Sequence, residues 1–579
     1  MSFKGKGRAL FRILGIRRNQ AYSGVIFAGS GDFYAEFIAN RAAVRRLPGE
    51  GTLFLGHNLA AVTTTVDSAG DGGTLNLTGS RTITGNLTLD NAGSLGLGAN
   101  TLTLGGTGIY TQGSGTTLNL TVDTPSTSGR ITSGAAAVVN TASTVAVTVS
   151  NDIYIPSNAT FTIIDTNGSG IGNAPTTVTS SNSRVSFSAS NSGGNLVLTA
   201  DRSTSGFESQ ASSSNSAAVG RVLDNISNPS SDMTTILNTL EALSGGGVAS
   251  AENDMGLSAN RGVINTSNGS LDKFVRTTVL RLQDSKIEED SLEEDSLEDS
   301  FNNDIWFQSY GGYARQGERG ASKGYRAKLW GNVIGFDHGF LNNSLRLGID
   351  QGFSEGKIRS KDNEERTRIT SYQTGLYGEY SHPDKPYLFD AVLTYGYSEY
   401  NNSRKVTVGS IERTANADYD GQQLSAYLEG GYKLKKKNFE IIPLLALSYT
   451  NLELDDYTET GAGALNLSVE SQNYQTLQLG GGLRLSKVFE SEKMLFTPEL
   501  RFRYFYSVVN EKQQSLASFE GGGASFETSG YRPAPSSFNV GSRFEFFNKK
   551  NTTLLVDLET QLKEDFYELG GSVTYKVSF

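Results

Sequence analysis

From residue 301 to the C-terminus, apolar and polar residues alternate with period two, the spacing of a strand with one greasy face. In FYELGGSVTYKVSF, Leu569, Gly571, Val573, Tyr575, Val577 and Phe579 share one side, and Gly570, Ser572, Thr574, Lys576 and Ser578 the other. Upstream, Phe496, Leu500, Phe502, Tyr504 and Tyr506 oppose Glu499, Arg501 and Arg503, and Leu554, Val556, Leu558 and Leu562 oppose Asp557, Glu559 and Gln561. Twelve such segments are predicted, at about 305–316, 328–341, 344–357, 367–381, 386–400, 418–436, 439–452, 472–488, 494–510, 536–548, 551–563 and 567–579. Most exceed ten residues, longer than the usual five or six and enough for a tilted strand to cross a bilayer.

One greasy face and one charged face suit a soluble sandwich as well as a membrane barrel. Strand length, the even count and the connections favour the barrel. Short turns at Asn342-Asn343, His382 to Lys385, Lys435 to Asn438, Glu490 to Glu492 and Asn548 to Asn551 alternate with mostly long polar links at 317–327, 358–366, 401–417, 453–471 and 511–535. Asp390, Glu429, Lys433, Glu499, Arg501, Arg503, Asp557 and Glu559 then line the pore. Tyr395, Tyr397 and Tyr400, like Tyr504, Phe505 and Tyr506, fall where interface girdles belong.

Composition sharpens the division. Of 56 aromatics in the 579 residues, 42 lie in 301–579 and only six in 55–300, so two different materials share one chain. The absence of cysteine excludes disulfides and thiolate metal sites, and a net charge of −10 argues against nucleic acid as a partner.

Between about 205 and 300 the spacing becomes helical: Val219, Val222, Leu223 and Ile226, then Met233, Ile236, Leu237, Leu240 and Leu243. Asp232 is the expected cap of the second helix and Gly245 to Gly247 its expected end. A third stripe, Leu271, Phe274, Val275, Thr278, Val279 and Leu282, occupies 270–286, and EEDSLEEDSLED (Glu288 to Asp299) reads as a solvated tether. Arg501 and Arg503 are candidates to hold that tether by charge.

From residue 74, TLNLT, NLTLD, SLGLG, TLTLG and TLNLTV set Leu75/Leu77, Leu87/Leu89, Leu95/Leu97, Leu102/Leu104 and Leu118/Leu120 on one face, followed by strands near Val145 to Val149, Phe161 to Asp165, Arg184 to Ser188 and Asn195 to Thr199. None can bury its apolar pair alone, which predicts stacked rungs of a β-solenoid, although spacings of 12, 8, 7 and 16 residues give no strict period. Enzyme chemistry is missing: there are three histidines (His57, His338, His382), no G-x-S-x-G element and no phosphate loop, so no cofactor or metal is expected.

DIWFQSYGGYARQ opening the strand-rich half and YKVSF closing it resemble the translocator domain of autotransporters, the type V secretion proteins of Gram-negative bacteria. The resemblance implies an all-β chain: a C-terminal 12-stranded antiparallel transmembrane β-barrel (301–579), a short helical and acidic linker (205–300) with a pore helix at 270–286, and a β-solenoid-like passenger (56–204). It also implies an outer-membrane location with the passenger at the cell surface, outer-membrane lipid and the barrel-assembly machinery as partners, and Tyr575, Val577 and Phe579 as the assembly signal. An adhesin-like passenger with a surface ligand of unknown identity follows from the resemblance alone. FTIIDTNGSGIG and GGNLVLTADRS are similar to the last rungs of such passengers.

Some relatives cut their own linker after Asn; here only Asn302-Asn303 suits, at the mouth of the first strand, and self-cleavage is not the expected behaviour. Residues 1–55 match neither part: the basic start, with Lys4, Lys6 and Arg8, has an apolar run broken by Arg12, so no clear signal peptide is read, and a misplaced start or a longer gene is expected. The rival readings are a porin-like channel or receptor with a periplasmic N-terminal half, and a surface hydrolase centred on His57.

Overall fold

The computed structural model describes residues 33–35, 52–56, 58–59, 63–66, 72–150, 153–257, 261–282, 302–318, 324–361, 365–530 and 532–579. His57, the tether at 288–299 and most of 1–55 lie outside them. The chain divides into two compact units, Met1–Ser205 and Gly206–Phe579.

The first unit departs from simple repetition: its Leu pairs alternate among three faces. One parallel sheet holds Thr52–Leu55, Thr74–Leu77, Ser94–Gly98, Thr117–Thr124, Thr144–Val149 and Thr177–Ser180. A second holds Thr63–Val66, Asn86–Leu89, Tyr110–Gln112 and Val138–Val139, and a third Arg81–Ile83, Thr101–Leu104, Arg130–Thr132 and Thr160–Asp165. On the first sheet Thr74, Ser94, Thr117, Thr144 and Thr177 stand in register, so successive turns take 20, 23, 27 and 33 residues. The uneven spacing of the Leu pairs is thus the sum of three interleaved faces with loops of changing length. Leu75, Leu95, Leu118 and Val145 stack inside, each at most 2% exposed, and each such side chain contributes roughly 1.5–3 kcal/mol by leaving water. The antiparallel strands Asn195–Asp201 and Ser186–Ser192 close the third sheet, pairing its last parallel edge.

The second unit is built on twelve long antiparallel strands: β1 (Asn303–Gln316), β2 (Tyr325–Phe340), β3 (Leu345–Ser360), β4 (Arg366–Ser381), β5 (Tyr387–Val408), β6 (Ile411–Tyr432), β7 (Phe439–Leu454), β8 (Gln472–Lys487), β9 (Leu495–Asn510), β10 (Ser536–Phe547), β11 (Thr552–Lys563) and β12 (Phe566–Ser578). Each pairs with its neighbours and β1 pairs with β12, so the sheet is a closed barrel without a free edge. Leu500, Leu558, Val573 and Tyr575 are about half exposed on the outside, whereas Arg501, Asp557 and Thr574 are buried inside. No helix among the described residues is long and apolar enough to cross a membrane; the strands make the crossing.

One end has short turns. The first, between β2 and β3, runs Leu341, Asn342 and Asn343 through the left-handed region (φ 53, 52 and 61°), where Asn is better tolerated than most residues. The other end differs from expectation in two places. The link expected at 401–417 is strand: β5 and β6 run on to a tip at Gly409-Ser410, because Val406, Val408, Ala415 and Ala417 continue the buried face above the membrane. The connections 453–471 and 511–535 contain Tyr457–Thr458, Leu467–Val469, Gln514–Phe519 and Phe526–Ser529, which form a small four-stranded sheet.

Among the described residues four α-helices precede the barrel: α1 (Ser214–Asp224), α2 (Ser231–Ala242), α3 (Gly245–Met255) and α4 (Arg261–Leu282). The cap of α2 is Ser230, whose Oγ accepts the Met233 amide (3.1 Å); Asp232, the expected cap, sits in the first turn and turns outward to Arg413. Gly245 to Gly247 do not end a helix but begin α3, because Ser244 Oγ accepts the Gly247 amide (3.3 Å) and starts a new one.

Candidate functional site: the occupied lumen

Helix α4 lies inside the barrel. Its 22 residues span about 33 Å, enough to run the depth of a bilayer core of about 30 Å. It starts nine residues before the expected 270, because its first turns carry small residues, among them Gly262, Thr266, Ser267 and Gly269, rather than an apolar stripe. Small side chains let the helix come close to the wall, where polar wall groups meet it. Ser267 Oγ lies 3.0 Å from the Tyr400 hydroxyl, Ser270 Oγ 2.7 Å from Ser354 Oγ, and Gln423 Nε2 donates to Asn268 Oδ1 at 3.0 Å.

The middle of α4 is apolar on one side and charged on the other. Leu271, Phe274, Val275, Val279 and Leu282 are each at most 4% exposed, and the last four cluster with Trp306, Tyr310, Val333, Tyr377, Val392 and Phe505. Phe274 fills a niche that two glycines leave open: a Cβ on Gly352 would stand 2.7 Å from its ring, and one on Gly375 3.1 Å. On the charged side Lys273 pairs with Glu568 (2.5 Å) and Arg276 with Glu559 and Asp272.

At the foot of α4, Arg281 pairs with Asp304 and Asp337, which Arg346 also contacts at 2.8 and 2.6 Å. Trp306 Nε1 donates to the Tyr377 hydroxyl (2.8 Å), which donates to Asp337 (2.8 Å). These residues are absent from the expected pore lining, yet Asp304, Trp306, Gln308 and Tyr310 share one alternating face of DIWFQSY, and that spacing is the signal that marks them as lumenal.

The expected pore-lining residues form two groups. Asp390 on β5 stands in register with Glu379 and Glu429, three neighbouring carboxylates on one wall, while Glu499, Arg501, Arg503, Asp557 and Glu559 come from β9 and β11. Arg501 bridges Glu499 (3.2 Å) and Asp557 (3.0 Å), and Arg503 reaches Glu429 at 3.1 Å, joining the two groups. These arginines are therefore engaged by wall carboxylates. Lys433 is half-buried near the short-turn end, its Nζ 2.9 Å from Ser381 Oγ. A cavity of about 120 Å³ remains beside α4, lined by Asn265, Asn268, Asp272, Tyr474 and Gln478 among others.

Two expected girdle residues are corrected. Tyr400 and Phe505 are 2% and 6% exposed and face inward, because alternation sends them to the side opposite Tyr395, Tyr504 and Tyr506. Phe579 is half exposed at the short-turn end, where it exchanges backbone hydrogen bonds with Asn303 (3.1 and 2.9 Å); Tyr575 faces outward beside it. Val577 opposes Ile305 across the β12–β1 seam. The Asn302-Asn303 bond is at this same end, and His338 Nδ1 lies 2.9 Å from Asn303 Oδ1. His382 is in a turn, accepting the Asp384 amide (3.1 Å).

Outside the barrel wall, Asp232 hydrogen-bonds Arg413 (2.6 Å), which holds its carboxyl down to about 2. Glu252 on α3 is fully buried with no partner for either oxygen; burial first, then the charges of Asp224 and Glu208, push it up to about 8.

The barrel half is similar to known proteins. A family model described as the autotransporter beta-domain matches residues 305–559. Outer membrane protein A of Rickettsia conorii is 27% identical over 282 residues, covering 47% of this chain and 14% of that protein. Esterase EstA of Pseudomonas aeruginosa is 27% identical over 218 residues, 37% of this chain and 32% of the esterase. The chain thus spans less than a third of the length of either relative. The solved translocator domain of autotransporter NalP from Neisseria meningitidis aligns with a TM-score of 0.43 at 13% identity, over 56% of this chain and 99% of that one. With the family match lying on a closed twelve-strand barrel, the C-terminal half of the chain is an outer-membrane autotransporter β-domain.

Proposed function

We propose that the barrel carries its own N-terminal solenoid across the outer membrane and displays it, and that α4 is the last stretch of the moving chain, retained as a plug. The direction of the chain supports this reading. Helix α4 begins at the long-connection end, where Gly262 lies against Tyr325 and Ile358, and finishes beside Asp304 and Trp306 at the short-turn end, where β1 also begins. In outer-membrane barrels the short turns are periplasmic. Everything before Arg261 therefore belongs on the opposite side of the membrane from the start of the barrel. The division into passenger (56–204), linker (205–300) and translocator (301–579) follows, with Tyr575, Val577 and Phe579 as the assembly signal and the Asp390 to Glu559 set lining the path.

The passenger is read as a non-catalytic, adhesin-like module. Its outward rows are uncharged hydroxyls and amides, such as Thr74, Asn76, Ser94, Thr117, Asn119 and Thr144, a surface suited to contact rather than turnover. The name of the Pseudomonas relative gives an esterase activity to that protein. Protease added to intact cells tests display: loss of residues 52–205 with the barrel intact is expected, and full protection refutes it.

A further inference from the structure

Helices α1–α3 grip three separate extracellular connections of the barrel. Asn215 of α1 exchanges hydrogen bonds with the backbone of Ser529 in the β9–β10 connection, its Nδ2 donating to the carbonyl and its Oδ1 accepting the amide, both at 2.9 Å. In α2, Asp232 pairs with Arg413 of the β5–β6 hairpin (2.6 Å) and accepts the Ala464 amide of the β7–β8 connection (2.7 Å). At the end of α3, the carbonyl of Asp254 accepts from Arg404 of β5 (2.9 Å), whose guanidinium also holds Glu459 in two hydrogen bonds of 2.6 Å; Arg404 and Glu459 are both almost fully buried.

Glycines fit the grip closely. A Cβ on Gly523 would stand 2.7 Å from Val222, and one on Gly521 2.7 Å from Met233. The apolar sides of the helices, Val219, Leu223, Met233, Ile236, Leu237 and Leu240, are wholly buried in this arrangement.

With 11, 12 and 11 residues, these helices are each too short to be stable alone in water. Their fold depends on the surface they grip, and that surface exists only at the long-connection end of the finished barrel. While 206–257 are still inside the pore, or below it, the partners Arg413, Ala464 and Ser529 are out of reach.

We propose that α1–α3 form a clasp that closes on the three extracellular connections once residues 206–257 have emerged, and that this closure is the stop against back-sliding. The clasp rests on the display reading above and adds to it a specific post-transit step, separate from the plug. Sliding back requires the clasp to unfold first.

The chain has no native cysteine, so a pair introduced as Asn215→Cys and Ser529→Cys reports the clasp alone. Whole cells expressing the full chain are treated with a short bis-maleimide, with and without a cysteine-free, ligand-stabilised domain fused ahead of the solenoid to halt transit. Most displayed chains are expected to cross-link and halted chains to show a loss of the band. Asp232→Ala is expected to weaken the band in displayed chains. Equal cross-linking in halted and displayed chains, with the solenoid protease-accessible only in the latter, overturns the clasp and leaves display standing. A solenoid protected from protease in unhalted cells overturns display, and the clasp with it.

Discussion

Replacing Phe274 with Ala should loosen the plug without disturbing the barrel. The ring is fully buried, yet it belongs to α4 and not to the wall, so its loss leaves the strand pairing untouched. Removing a buried Phe costs about 3–5 kcal/mol. Even the low end, about 3 kcal/mol, decides the outcome. At about 1.4 kcal/mol per factor of ten, the undocked population should rise roughly a hundredfold. The assay is open probability of the purified full chain in planar lipid bilayers, with heat-modifiable gel mobility as the check that the barrel is folded. Gly352→Val, which pushes the same ring from its niche, should act in the same direction. An open probability within about twofold of the parent, from a folded barrel, would refute the claim that apolar burial of Phe274 holds the plug.

Phe579→Ser should lower the fraction of chains that reach the heat-modifiable, membrane-inserted form by several-fold, read on gels of outer-membrane fractions; unchanged insertion would remove it from the assembly signal. Leu118→Ala should cost the solenoid about 2–5 kcal/mol, seen as a lower melting temperature of its β-sheet circular dichroism, because Leu118 stacks between Leu95 and Val145. Glu252 carries a pH dependence: its value rises from the ordinary 4.5 to about 8 on folding, so the folded helices prefer the protonated acid. Their stability is full below about 4.5 and declines as pH rises through about 8, visible as faster amide exchange in α3 at high pH. Glu252→Gln should flatten that profile, and an unchanged profile would reassign the effect.

Much of the barrel is readable from alternation alone, because in lipid one face of every strand must be apolar and the other is free to be polar. Ten of the strands start and end within about three residues of the expected positions, and the misses have physical causes. Strands β5 and β6 outrun the membrane, where the greasy band is no longer required, so their extension reads as a polar loop. Helix α3 starts on three glycines, residues of low helix propensity, and is held by the Ser244 cap and the grip on Arg404 rather than by its own sequence. For the same reason the upper half of α4 carries no stripe: a helix inside a polar lumen is selected for small and hydrogen-bonding residues, not for amphipathicity toward a core. The partners of α4, among them Asp304, Asp337 and Trp306, lie at distant sequence positions that only barrel closure brings together.

The mixture of forces around α4 follows from what the lumen has to do twice. A wall lined with Arg501, Arg503, Glu429, Glu499 and Asp557 pairs with itself, so it can face water or a passing chain without leaving a buried charge alone. Such a wall offers a resting helix little net attraction, since exchanging water for ion pairs gains little. The helix is therefore held by a few features that the open pore does not satisfy by itself: the glycine niche that the Phe274 ring enters, and the Asp304 and Asp337 carboxylates, which would lose one of their cations if Arg281 left. Apolar filling at mid-depth and charge at the foot give the plug its position, and the self-paired remainder of the wall keeps the path open to the chain that precedes it.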